Sequence, residues 1–278
     1  MSYNIGDRIE LAGCGTAVIE TAPSPAERDD KTADIAFKNA IVVDSTGVFK
    51  ADVCVSDGVI SAVGVLQEAR KVIDADGFVL TAGRIFTGSV SEAGAPEELL
   101  FSGYSTAMFE LRSGHETVSE MLWEKNSLPV NLGFIPSDDN HGSCPESDLC
   151  PVSNSDNSLS FEGVNSEVRT RIAEQTIIPA LRCGVSRYVG TVEVGKLADL
   201  FLWRHNELFR KPSKIVKSGR LIYNSAVTDR RDIVYSMLSC SEEWAVRNPC
   251  VFFTSPSAAA GYLGRQMHCE RNVIAAER

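Results

Sequence analysis

Residues 34–64 contain Asp34-Ile35-Ala36-Phe37, Ala40-Ile41-Val42-Val43, Ala51-Asp52-Val53-Cys54-Val55 and Val59-Ile60-Ser61-Ala62-Val63, with Asp-Ser-Thr-Gly at 44–47 and Ser-Asp-Gly at 56–58 between runs. β-Branched residues dominate the runs and turn formers separate them, so the stretch predicts a meander of short antiparallel strands. Val72-Ile73-Asp74-Ala75-Asp76-Gly77-Phe78-Val79-Leu80 predicts one more hairpin. The grammar then changes. Phe78–Leu80 leads to Ile85, Pro96–Phe101 reads as helix, Ser105–Leu111 as strand, Thr117–Glu124 as helix and Pro129–Phe134 as strand. Such alternation predicts βα units around a parallel sheet.

Residues 137–167 are rich in Ser, Asn, Asp and Pro and hold no Lys or Arg, which predicts a flexible acidic loop. A helix is expected from Ser166 to Cys183, stopped by Gly184. Gly190–Trp203 and Ser213–Tyr223 read as strands separated by a Lys-Pro-Ser turn, and Val251-Phe252-Phe253 and Ser255–Leu263 follow as strand and short helix.

The composition excludes several classes. A net charge of −10, from 27 basic and 37 acidic residues, argues against a nucleic-acid or anionic-membrane partner. No apolar run approaches the roughly 18 residues a membrane span needs, and Met1–Asp7 lacks the pattern of a secretory signal. The eight cysteines are scattered, so reduced thiols and a cytoplasmic location are expected.

Thr191-Val192-Glu193-Val194-Gly195-Lys196-Leu197-Ala198-Asp199-Leu200-Phe201-Leu202-Trp203 resembles the amidohydrolase-superfamily pattern G-x-I-x-x-G-x-x-A-D-L-V, in the form found in the urease α (catalytic) subunit. Lys38–Asp44 with Gly47 and Lys50-Ala51-Asp52, Leu80-Thr81-Ala82-Gly83, Ser127–Phe134, and Arg171-Ile172-Ala173 with Thr176-Ile177 and Pro179-Ala180 resemble further urease α motifs in the family's order, as does Ile5–Ala12. The resemblance implies an α/β protein with a composite β domain. A urease-α-like β-sandwich, discontinuous over 1–78 and 190–278 with the C-terminal segment, would flank a partial β/α barrel at 79–189 that includes the acidic loop. A complete (β/α)8 barrel takes roughly 250 residues, and about 110 lie between Val79 and Gly190. The middle of the family's barrel has no counterpart.

The family's chemistry needs two nickel ions, held first by an H-x-H pair at the end of the first barrel strand. Aligned on Thr81-Ala82-Gly83, those positions fall on Gly88 and Val90, the preceding Asp becomes Phe86, and the Gly-rich loop after the second strand becomes Glu110-Leu111-Arg112-Ser113-Gly114. The chain has four histidines, His115, His141, His205 and His268, none two residues from another. No catalytic residue, metal ligand or cofactor is therefore assigned.

Other constellations have plain readings beside the sharper ones. His141, Cys144 and Cys150 offer donors that Zn²⁺ takes, without a fourth ligand at standard spacing, and whether they bind a metal stays open. Cys183 with His115 or Glu110 would be a nucleophilic pair, but Cys183 at the end of an apolar helical face reads as a small buried hydrophobe. Glu97 and Glu98, adjacent on a helix, point apart and read as a solvated face. Gly195, Lys196 and Asp199 are structural in the family.

Two functions follow. One is a urease-α-like pseudoenzyme, a scaffold or assembly partner that forms a homo-oligomer, simplest as a dimer, or joins a urease-type subunit through the incomplete barrel. The other is a hydrolase acting on a carbon–nitrogen, non-peptide bond through a rebuilt site. Incomplete parallel sheets leave edges that invite pairing; the alternative cover is the segment Val251–Arg278 with Phe252, Phe253 and Leu263.

Overall fold

The computed structural model describes residues 2–28, 32–93, 96–111, 130–136, 159–227, 251–253 and 273–275. Eight strands open the chain: β1 (Arg8–Leu11), β2 (Gly15–Val18), β3 (Ala26–Glu27), β4 (Ala33–Asp44), β5 (Gly47–Ser56), β6 (Val59–Val63), β7 (Ala69–Asp74) and β8 (Val79–Ala82). Next come β9 (Arg84–Gly88), α1 (Val90–Ala93), α2 (Pro96–Phe101), β10 (Tyr104–Leu111) and β11 (Asn131–Pro136). After α3 (Ser166–Ala173) and α4 (Ile177–Arg182) lie β12 (Leu200–Trp203), a 3-10 turn (His205–Glu207), β13 (Pro212–Lys217), β14 (Arg220–Asn224), β15 (Val251–Phe253) and β16 (Val273–Ala275).

β4, β5 and β6 form the expected antiparallel meander. β4 is interrupted at Lys38-Asn39, where the register with β5 shifts and Asn39 adopts φ 62°, its N–H bonded to Asp52 Oδ1 at 2.7 Å. The interruption divides one edge of β4 between two strands. β7 runs parallel to Ala33–Lys38, and β8 runs parallel to Ile41–Val42. The hairpin expected over 72–80 is therefore corrected: β7 and β8 follow one another along β4, and β8's other side takes β12.

The resulting sheet has nine strands in the order β14-β13-β12-β8-β4-β5-β6-β3, with β7 beside β4. It joins residues 33–82 and 200–224 in one hydrogen-bonded array. The two halves curl together: Ile60 N–H donates to Lys196 O at 2.8 Å, Ala198 N–H donates to Gly58 O at 2.9 Å, and the Gly219 turn lies on Gly58. β12 is buried throughout, Phe201 and Trp203 in one core and Leu200 and Leu202 in the other. A strand covered on both faces reads as an unbroken apolar run, as Leu200–Trp203 does. The strand expected over 190–203 narrows to its last four residues, because 190–199 is spent in turns.

At Gly83 the chain leaves this sheet and enters a second one, of order β16-β15-β11-β10-β9, all parallel. Leu99, Leu100, Ala107 and Phe109 belong to the core shared with the large sheet, while Ile85, Met108, Ala180 and Cys183 pack on the opposite face. β15 and β16 extend this sheet from β11. Of the C-terminal segment expected beside the β domain, backbone pairing places Val251–Phe253 and Val273–Ala275 against the parallel strands.

The helix expected over 166–183 is two helices. Pro179 has no N–H to give the carbonyl of Gln175, and that carbonyl instead accepts the N–H of Ile85 at 2.9 Å. The expected loop 137–167 lies outside the described residues up to 158, and its last part is anchored. The Asn165 side chain accepts from Val18 N–H at 2.7 Å and donates to Val18 O and Glu20 Oε2. Among the described residues no helix is long and apolar enough to cross a membrane.

Candidate functional site

In parallel β/α folds, chemistry gathers at the C-terminal ends of the strands, and the opposite end serves stability. At the C-terminal end of β9, Glu92 on α1 turns back so that its Oε2 accepts the N–H of Ser89 at 2.8 Å. The position a Cβ of residue 88 would take lies 2.8 Å from that oxygen and 3.2 Å from the Phe86 ring. Phe86 itself meets the rings of Tyr104 and Phe109 at 6.0 and 6.1 Å. Phe86 and the tip of the exposed Glu92 side chain thus crowd residue 88, and a side chain there would require Glu92 to swing away. Phe86, Gly88 and Val90 offer no side-chain lone pair to a metal, so the residues here do not fit the family's nickel pair.

The polar chemistry gathers at the other end. Asp199 and Lys217 are 2% and 1% exposed, and Lys217 Nζ donates to both carboxylate oxygens of Asp199 at 2.9 Å. Asn131, opening β11, accepts from Lys217 Nζ at 2.7 Å and donates to Asp199 Oδ2 at 2.6 Å and to Thr106 Oγ1 at 3.1 Å. Ser218 N–H donates to Asp199 Oδ1 at 2.8 Å, while Asp199 O accepts from Gly83 N–H at 2.9 Å. A buried pair survives only when its remaining hydrogen-bonding capacity is met, and this one is met from both sheets. It bolts the parallel sheet to the large sheet and leaves no lone pair aimed at a cleft.

Gly195 and Lys196 also serve the fold. Gly195 turns at φ 91° and donates its N–H to Ile60 O at 2.8 Å. Lys196 Nζ reaches Glu193 Oε2 at 2.8 Å and also Thr191 Oγ1. Burial would raise the Glu193 carboxyl, but the hydrogen bonds from Lys196 and Thr191 outweigh it and hold the group below its ordinary range. Beside them Asp44 is fully enclosed, accepting Val192 N–H at 2.5 Å and Ser45 O–H at 2.9 Å. Burial prevails there, and the Asp44 carboxyl is pushed up.

Of the other candidates, Cys183 sits among Ile85, Met108 and Val185, and burial pushes its thiol up to about 12. A thiol so held is protonated and poorly nucleophilic. His115, His141, Cys144, Cys150 and His268 lie outside the described residues, as do the side chains of Val90, Glu97 and Glu110. His205 makes a 3.0 Å hydrogen-bond contact through Nδ1 with Glu10 O and lies edge-on to Tyr3. Among the described residues no three His, Cys, Asp or Glu side chains group as metal ligands. Sequence reasoning missed Lys217 and Thr106 in the buried network. Asp199 and Asn131 stood in quoted motifs, whereas Lys217, in a Lys-x-x-Lys strand, carried no signal that it points inward.

A curled β domain is hydrogen-bonded from two chain segments and continues into a parallel sheet. Its first part is similar to the urease α subunit: residues 3–83 match the urease α-subunit N-terminal domain. The urease α subunit of Edwardsiella ictaluri (strain 93-146) is 31% identical over 117 residues, 40% of this chain and 20% of that protein. The chain thus spans about a fifth of the length of that curated relative. Among solved structures, a zinc-bound adenosine deaminase from Xanthomonas campestris aligns with a TM-score of 0.50 at 11% identity, over 78% of this chain and 98% of that one. A D-hydantoinase aligns with a TM-score of 0.33 at 24% identity, over 37% of this chain and 27% of its own.

Proposed function

We propose that this chain is a urease-α-like protein without the family's dinuclear nickel site, working in the cytoplasm as a scaffold or assembly partner, either with itself or with a urease-type subunit. The observation that carries the reading is the lack of metal donors at the C-terminal end of β9. Gly88 stands where the first metal histidine would be, and Glu92 and Phe86 occupy the space its side chain would need. On this reading, residues 79–189 are a remnant of the barrel, and segments 1–78 and 190–227 make the composite β domain that frames it. What persists is the machinery that joins the two sheets, which suits a protein selected for its shape and surface rather than for hydrolysis.

The test is expression in nickel-supplemented medium, followed by elemental analysis and a urea-hydrolysis assay on the purified chain. Less than one tightly held nickel per chain and no ammonia release are expected. About two nickel ions per chain, the stoichiometry of the dinuclear mechanism, would overturn the reading.

A further inference from the structure

β7 is hydrogen-bonded along one side only among the described strands: β4 takes that side, and no strand takes the other. Ala33 N–H donates to Glu68 O at 2.7 Å. Backbone groups alternate sides along a strand, so Arg70, Val72 and Asp74 direct theirs at β4. The N–H and C=O groups of Ala69, Lys71 and Ile73 then face the open side. Such an edge is a template for another strand.

The side chains of Arg70, Val72 and Asp74 share one face. All three are exposed, Val72 to 56%. Their order is cation, apolar, anion. Laid antiparallel about a two-fold axis at Val72, a second copy places its Asp74 opposite Arg70 and its Arg70 opposite Asp74. Val72 then meets Val72 in a non-hydrogen-bonded pair, while Lys71 and Ile73 exchange backbone hydrogen bonds with the other copy. Arg70 already contacts Asp34 at 3.2 Å, but its side chain is 76% exposed and keeps donors to spare. The ladder stops at Arg70 and Asp74, because one pair further Glu68 would face Asp76 of the second copy.

We propose that two copies of this chain associate by antiparallel pairing of their β7 edges, centred on Val72. A ladder this short buries less than a standard interface, so the dimer is weak, with a dissociation constant on the order of micromolar. The surface is distinct from the parallel-sheet edges, and the nickel measurement does not bear on it.

Sedimentation equilibrium of the full chain up to about 200 µM should show the mass rising from 30.1 kDa toward twice that value. Val72→Lys sets two cations face to face and should weaken association about tenfold. Arg70→Asp and Asp74→Arg should each weaken it, and the double exchange should recover it, with thermal unfolding confirming that every variant is folded. Val72→Cys, with diamide as the oxidant, should give a covalent dimer that the parent chain does not give. A parent chain that stays at 30.1 kDa overturns the proposal. So does self-association that the Val72 and Arg70 variants leave unchanged and Val72→Cys does not trap, since that contact lies elsewhere.

Discussion

Lys217 is an ammonium 1% exposed at the seam of two sheets, and its stability rests on oxygen atoms within the protein, two from Asp199 and one from Asn131, with Ser218 Oγ further off at 3.3 Å. Removing one partner of such a pair leaves an uncompensated buried charge, which costs more than the intact pair contributes. Asp199→Ala should therefore destabilise the fold by about 3–5 kcal/mol, read as a lower denaturant midpoint. The double variant Asp199→Leu with Lys217→Met should recover part of that loss. Asp44 offers a prediction in pH. Its folded carboxyl is raised by burial, so the folded state holds a proton more tightly than the unfolded chain. That contribution is present below the ordinary carboxylate value of about 3.9 and is lost as pH rises through the raised folded value. Asp44→Asn cannot ionise, so its thermal midpoint relative to the parent should improve as pH rises from about 4 to 8. A midpoint difference that is flat with pH would remove the burial argument.

At the scale of elements, the passage from β8 to β9 is tightly packed. A Cβ on Gly83 would stand 2.1 Å from Ser105 Oγ and 2.4 Å from Ser105 Cβ, on backbone whose N–H is committed to Asp199 O. Gly83→Ala should destabilise by about 3 kcal/mol through overpacking. Ser105→Gly should rescue part of this, whereas Ser105→Ala, which keeps the clashing Cβ, should not. If both rescue equally, the clash lies with the hydroxyl alone. The break between α3 and α4 belongs to the same scale. Its cause, Pro179, was visible in the sequence, but the acceptor of the freed carbonyl, Ile85 N–H, comes from 94 positions earlier than Pro179. Helical periodicity carries no information about such a partner.

For the whole molecule, the central fact is that β12 lies between β8 and β13. Strands from 33–82 and 200–224 share one sheet, so neither half has a complete core without the other. A chain ending at Val189 loses Leu200, Phe201, Leu202 and Trp203, all fully buried, and leaves β8 with an open edge. It should not fold cooperatively. A soluble, sharply melting product would show that the N-terminal strands close their core unaided.

The sequence by itself determined the local grammar: the β4–β6 meander, the α2 helix, and the strands at β10 and β11. These properties follow from side-chain periodicity and backbone preference, both local in the chain. Only the tertiary structure decided that β7 and β8 divide one edge of β4, that Lys217 points inward to Asp199 and Asn131, and that β15 joins the parallel sheet. Each is a pairing across many residues. Its register depends on what else competes for the same edge or the same buried lone pair, and no run of sequence carries that competition within itself.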